Sequence, residues 1–143
     1  MENIGKSGTK EGRSNPRYRV FWRIVIIYNK DGKQNIFHGH TYDLSINGAC
    51  IYSDHNIYVE EDVAMTIEVN SLHLNKKNSV IGVKCRMLYN ILSSNYSKYR
   101  IGVEFIEFAG NGKNILKEAL SKSQFQILEQ KREPGEPTLP QQK

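Results

Sequence analysis

Cysteine, tryptophan and long apolar runs are scarce in this chain, and each scarcity excludes something. Only Cys50 and Cys85 occur, with no CxxC spacing, which excludes a disulfide framework and a zinc site and gives no sign of redox chemistry. No window approaches the ~20 consecutive apolar residues that cross a bilayer, and the first fifteen residues lack the apolar segment of a secretion signal. A cytoplasmic protein without membrane insertion is therefore expected. Three of the four prolines are confined to "REPGEPTLPQQK" at the carboxyl end, which marks residues 132–143 as a disordered tail. Acidic residues are few at the other end: residues 1–33 carry eight Lys or Arg against three acids, whereas the remaining 110 carry twelve of each sign. The surplus of +5 is thus local and points to an anionic ligand met near the amino terminus.

A length of 143 residues suits one domain with one core. Residues 1–12 read as a flexible basic leader. From Tyr18 to Tyr28, "YRVFWRIVIIY" predicts a long strand with Val20, Trp22, Ile24, Ile26 and Tyr28 on one face. Asp31-Gly32 then signals a hairpin. Further strands are predicted at "IFHGHTYDL", "GACIYS", "VAMTIEV", "SVIGVKCRMLYNI" and "KYRIGVEFIE". Six strands so spaced give an all-β fold, a small antiparallel barrel. Apolar residues at threes and fours from Ile115 to Leu128 add one carboxy-terminal amphipathic helix over about 111–131, so that the folded domain spans 13–131.

Several constellations carry no chemistry. "GKSGTK" lacks the first glycine and the preceding strand of a phosphate-binding loop. His38 and His40 share a strand face without a third ligand, which leaves them a surface pair with no metal. Ser53, Asp54 and His55 lie too close in sequence to converge on one atom as a catalytic triad. Glu60, Glu61 and Asp62 read as a solvated turn. No catalytic signal remains, and the chain is not expected to be an enzyme.

Two stretches are more informative. "GRSNPRYRVFWR" packs four arginines into eleven positions, and "DLSING", Asp43 to Gly48, joins two strands. The latter reads either as a plain turn, in which Asn47-Gly48 favours positive φ, or as a ligand site. In the second reading Asp43 and Ser45 face one side and Gly48 permits close approach.

Taken together, Arg13-Ser14-Asn15-Pro16-Arg17 (RxxxR), Asp43 to Gly48 (DxSxxG) and "YRIGVEF" before a helix resemble the PilZ domain family over residues 13–125. The resemblance implies a six-stranded β-barrel that binds the bacterial second messenger cyclic di-GMP and needs no cofactor. It further implies that Arg13 and Arg17 clamp phosphates and the guanine Hoogsteen edge. Asp43 would accept from the Watson-Crick edge, Ser45 would hydrogen-bond the ligand and Gly48 would shape the turn, while Gly102 and Phe105 would belong to barrel structure. The rival register Arg19/Arg23 is disfavoured, because four residues along a strand separate side chains by about 13 Å. Arg19 remains a candidate additional contact and Arg23 a surface residue. The expected mechanism is a mobile leader that docks across the barrel mouth on binding and signals in trans to a protein partner. Two alternatives stand beside it. One is a ligand-independent adaptor of the same fold; the other is a small barrel for single-stranded nucleic acid, which the neutral body disfavours for DNA and RNA alike.

Overall fold

The computed structural model describes residues 15–70, 77–93 and 97–122, together with the backbone of 126–128. The elements are β1 (Arg17–Arg19), β2 (Arg23–Lys30), β3 (Lys33–Leu44), β4 (Gly48–Ser53), β5 (Val63–Val69), β6 (Ser79–Ser93), β7 (Lys98–Phe108), α1 (Gly112–Lys122) and β8 (Gln126–Leu128). Antiparallel pairing in the order β2-β5-β6-β7-β4-β3 returns to β2, which closes a six-stranded barrel. Short β1 and β8 extend the sheet from β3. The expected barrel with one helix is therefore present, and closure removes the edges that an open sheet would expose.

Alternation supplies the core. Ile24, Ile26, Met65, Ile67, Ile81, Val83, Ile101 and Val103 point inward from their strands and are nearly inaccessible to water, as period-two patterning requires. Leu116 and Leu120 of α1 join the same cluster, so the helix covers the barrel with one stripe. The β2–β3 hairpin turns at Asp31 and Gly32, with φ of 57° and 74°. Positive φ at both central positions is the turn whose twist matches paired strands.

Two expectations are corrected. The stretch 18–28 is not one strand: the inward face of Val20, Trp22, Ile24 and Ile26 is kept, but the ladder breaks at residues 20–22. Thr41 causes the break. Its Oγ1 accepts from the Trp22 amide at 3.0 Å and donates to the Val20 carbonyl, while its own amide donates to the Trp22 carbonyl at 2.8 Å. A side chain thus replaces ladder bonds, and β1 resumes along β3 with Tyr18 opposite Leu44, one residue out of step with the pairing of Arg23 and His40. The second correction concerns the helix, which ends at Lys122 rather than near 131. Residues 126–128 pair instead with β1, Leu128 against Arg17 and Gln126 against Arg19. This satisfies the outer backbone edge of β1, a tertiary demand that helical spacing alone does not reveal. The leader through residue 14 and residues 129–143, with the predicted tail, lie outside the described residues.

At Gly48, β4 lies against β7 with no room for a side chain. A Cβ there would lie 2.2 Å from the Val103 carbonyl oxygen, and backbone cannot yield as a flexible side chain does. Gly48→Ala is expected to destabilise the domain by roughly 2 kcal/mol through overpacking, measured by urea unfolding. An unchanged midpoint would contradict this account of the glycine.

Candidate functional site

Two one-residue bulges build the site. Thr41 pairs with Ile51 and Asp43 with Cys50, so Tyr42 is an extra residue on β3. The insertion inverts the parity of the strand. Leu44 turns inward opposite Ala49, and Asp43 turns to the outer wall beside Cys50. On β6, Met87 pairs with Val103 and Tyr89 with Gly102, which makes Leu88 the extra residue. Regular alternation would bury Tyr89 in the barrel; the bulge places it outside with Gly102. The two re-aimed side chains face the same cleft of about 400 Å3, a size typical of small-molecule sites. The cleft opens on the outside of the barrel wall, between β1, the 45–48 turn, β6 and β7.

Arg17 closes one side. Its Nη2 donates to Asp43 Oδ2 at 2.7 Å, across 26 residues of sequence. Asp43 is only 3% exposed, so this partner takes the place of water around the carboxylate. The turn that follows is tied by its own atoms: the Ser45 amide donates to the Gly48 carbonyl at 2.9 Å and the Asn47 amide to Ser45 Oγ at 3.0 Å. The Phe105 amide donates to the Asn47 carbonyl at 2.8 Å, fixing the turn to β7. The expected positive φ at Asn47-Gly48 is not found; positive φ among the described residues occurs at Asp31, Gly32, Ser97 and Gly110. Gly48 is required by close contact with β7, as shown above. Because Ser45 Oγ already accepts from Asn47, its hydroxyl proton is available for donation into the cleft.

The opposite wall is aromatic. The distal end of the Tyr89 ring lies over Gly102, where a Cβ would be 2.3 Å from ring carbon. Gly102, expected to be purely structural, is therefore also a floor residue of the cleft. Phe105 meets its expectation as part of the barrel, packed against the core and edge-on to Phe108 at 5.5 Å. Burial pushes the Tyr89 hydroxyl above its ordinary range, so it remains a protonated donor at neutral pH. Arg100 stands 6.0 Å from the Tyr89 ring centroid and donates through Nε to Cys50 Sγ at 3.3 Å. Desolvation raises the Cys50 thiol, although the Arg100 hydrogen bond opposes it. Cys50 is thus a neutral acceptor that orients a cation.

The remaining sequence candidates are dispersed. Arg13 lies outside the described residues. Arg19 sits 4.1 Å from the centre of the Tyr42 ring and does not line the cleft. Arg23 is exposed and pairs in register with His40, whose ring stacks on Phe21 with centroids 4.3 Å apart. Ser53 Oγ is occupied by the backbone of His55, donating to its carbonyl and accepting from its amide. Of the motif residues described, the fold brings together Arg17, Asp43, Ser45 and Gly48. It adds Tyr89, Leu88 and Asn47, which the sequence reading missed. Glycine at position 102 was the available signal for Tyr89, since a strand glycine marks close approach by another group.

The PilZ domain profile matches residues 11–122, well over half of the chain. The chain belongs to the PilZ domain family, whose members are cyclic di-GMP receptors and adaptors that share the fold. No curated protein matches the sequence significantly. Among solved structures the chain is similar to the Bacillus subtilis inhibitor of motility, MotI/DgrA. The TM-score is 0.61 at 13% identity, over 78% of this chain and 53% of that one. That likeness is one of fold, and the chain spans about half the length of that protein.

Removing Arg17 would strand a buried carboxylate. Arg17→Ala is expected to cost roughly 2 kcal/mol, less than a fully buried pair because the guanidinium keeps 22% exposure. Arg17→Ala combined with Asp43→Ala should cost clearly less than the sum of the two single changes. Strict additivity in a denaturant-unfolding cycle would show that the pair is not energetically coupled.

Proposed function

We propose that the chain is a non-catalytic receptor for cyclic di-GMP. The observation that carries this reading is the Arg17–Asp43 pair at 2.7 Å, set with Ser45 and Gly48 in one cleft of a PilZ domain. The chemistry suits guanine. Asp43 is an acceptor-only group that matches the N1 and N2 donors of the Watson-Crick edge, whereas a guanidinium fits O6 and N7 or a phosphate. Arg17 can serve both partners, since five N–H donors exceed what one carboxylate oxygen takes. Ser45 donates its hydroxyl to the ligand, and Tyr89 offers a ring against which a base can stack.

Arg17 is anchored on β1 between β3 and β8. Ordering on binding is assigned to the segment that carries Arg13, which would complete the clamp with Arg17. The altered face then engages a protein partner in trans. A second reading has support from the same ion pair: Arg17 and Asp43 satisfy each other and would also serve as a structural tie in a ligand-independent adaptor.

Calorimetric titration of the full chain with cyclic di-GMP separates the two. Saturable binding is expected, with Asp43→Asn weakening it by a factor of about 10 to 100 through loss of a charged acceptor. Amides of residues 11–14 should gain hydrogen-exchange protection on binding. A complete absence of heat and of protection would assign the chain to the adaptors.

A further inference from the structure

A second cleft, of about 290 Å3, adjoins the first and shares Asn15 and Asn47 with it. Its far wall is the face of α1 that carries Lys113, Lys117, Leu120 and Ser121, positions that succeed one another at helical spacing. None of its lining residues is acidic. Both lysines are exposed, and no described carboxylate lies within ion-pair distance of either.

The placement is unfavourable for the helix. Lys113 is in the first turn, where the backbone dipole is positive and carboxylates are preferred, yet that turn has no acidic residue. Like charges four residues apart on one face repel. The other end of the same helix follows the usual rule, with Lys122 in the last turn bridged to Glu118 at 2.7 Å. Two uncompensated cations against the local electrostatics, beside a cleft that opens into the ligand cleft, are the kind of local violation that a bound anion would offset.

We propose that Lys113 and Lys117 form a phosphate-binding edge of the ligand site, contacting the phosphodiester of a cyclic dinucleotide whose guanine is read at Asp43. The inference rests on the receptor reading. In this arrangement the ligand spans Asn15 and Asn47, with base recognition on the barrel wall and charge neutralisation shared between Arg17 and the helix. Binding would thereby add a bridge between α1, the 45–48 turn and the segment before β1, which line one cleft.

The test is calorimetric titration of cyclic di-GMP into the full chain, its Lys113→Gln/Lys117→Gln variant, and a control of equal charge change, Lys33→Gln/Lys77→Gln, at low and at physiological salt. Lys33 and Lys77 are exposed and line neither cleft. The helix variant should bind about tenfold more weakly and lose part of the salt dependence, because fewer charge contacts are screened. Lys113→Arg/Lys117→Arg should retain affinity, and the control should match the unaltered chain. Unchanged affinity and salt dependence in the helix variant would overturn the inference while leaving the receptor intact, as would an equal loss in the control. If the unaltered chain does not bind, both fall together.

Discussion

Asp43 keeps a carboxylate almost out of contact with water on the outer wall of a barrel, and much of the structure exists to make that tolerable. An isolated buried charge costs several kcal/mol, so Asp43 requires a cation held in place. Arg17 supplies it at 2.7 Å from its place on β1, which is paired on one side with β3 and on the other with β8. Thr41 breaks the strand, β8 secures its free edge, and the bulge at Tyr42 turns the carboxylate outward while returning Leu44 to the core. Each device is a small local departure from ideal barrel geometry, and together they converge on one ion pair.

The cleft around that pair is divided by chemistry. One side presents an acceptor-only carboxylate and a hydroxyl with a free proton; the other presents the Tyr89 ring, with Arg100 held behind it by Cys50. Under the proposed receptor reading, a planar base with donors on one edge and acceptors on the other would sit between them, with its anionic linkers toward Arg17 and the lysines of α1. The concentrated charge of the first 33 residues thus has a counterpart on a helix almost a hundred residues later. The fold sets these cations on two adjoining clefts that share Asn15 and Asn47.

Much of this was legible in the sequence because it depends on short-range rules. Alternation located the barrel strands and Asp31-Gly32 marked the hairpin, while the resemblance of RxxxR and DxSxxG to the family motifs singled out Arg17 and Asp43, though not that they pair with each other. What was hidden depends on register. A bulge is one residue long and leaves no compositional trace, so the outward turn of Asp43 and Tyr89 could not be read from alternation; it follows only once strands are paired. Gly48 was recognised as special for the wrong physical reason, since the requirement is a backbone oxygen on β7 rather than a left-handed φ. The shorter helix has the same origin. Ile127 and Leu128 satisfy a helical period, but the open edge of β1 offers their backbone a better set of partners.

The central claim is that Asp43 reads the donor edge of guanine, and base selectivity tests it most directly. Adenine presents an acceptor at N1 where guanine presents a donor, which would set two acceptors against each other. Competition binding on the full chain with cyclic di-GMP and cyclic di-AMP should therefore show a preference of about 100-fold or more for the guanine ligand. Equal affinity for both, or a preference for adenine, would contradict the account.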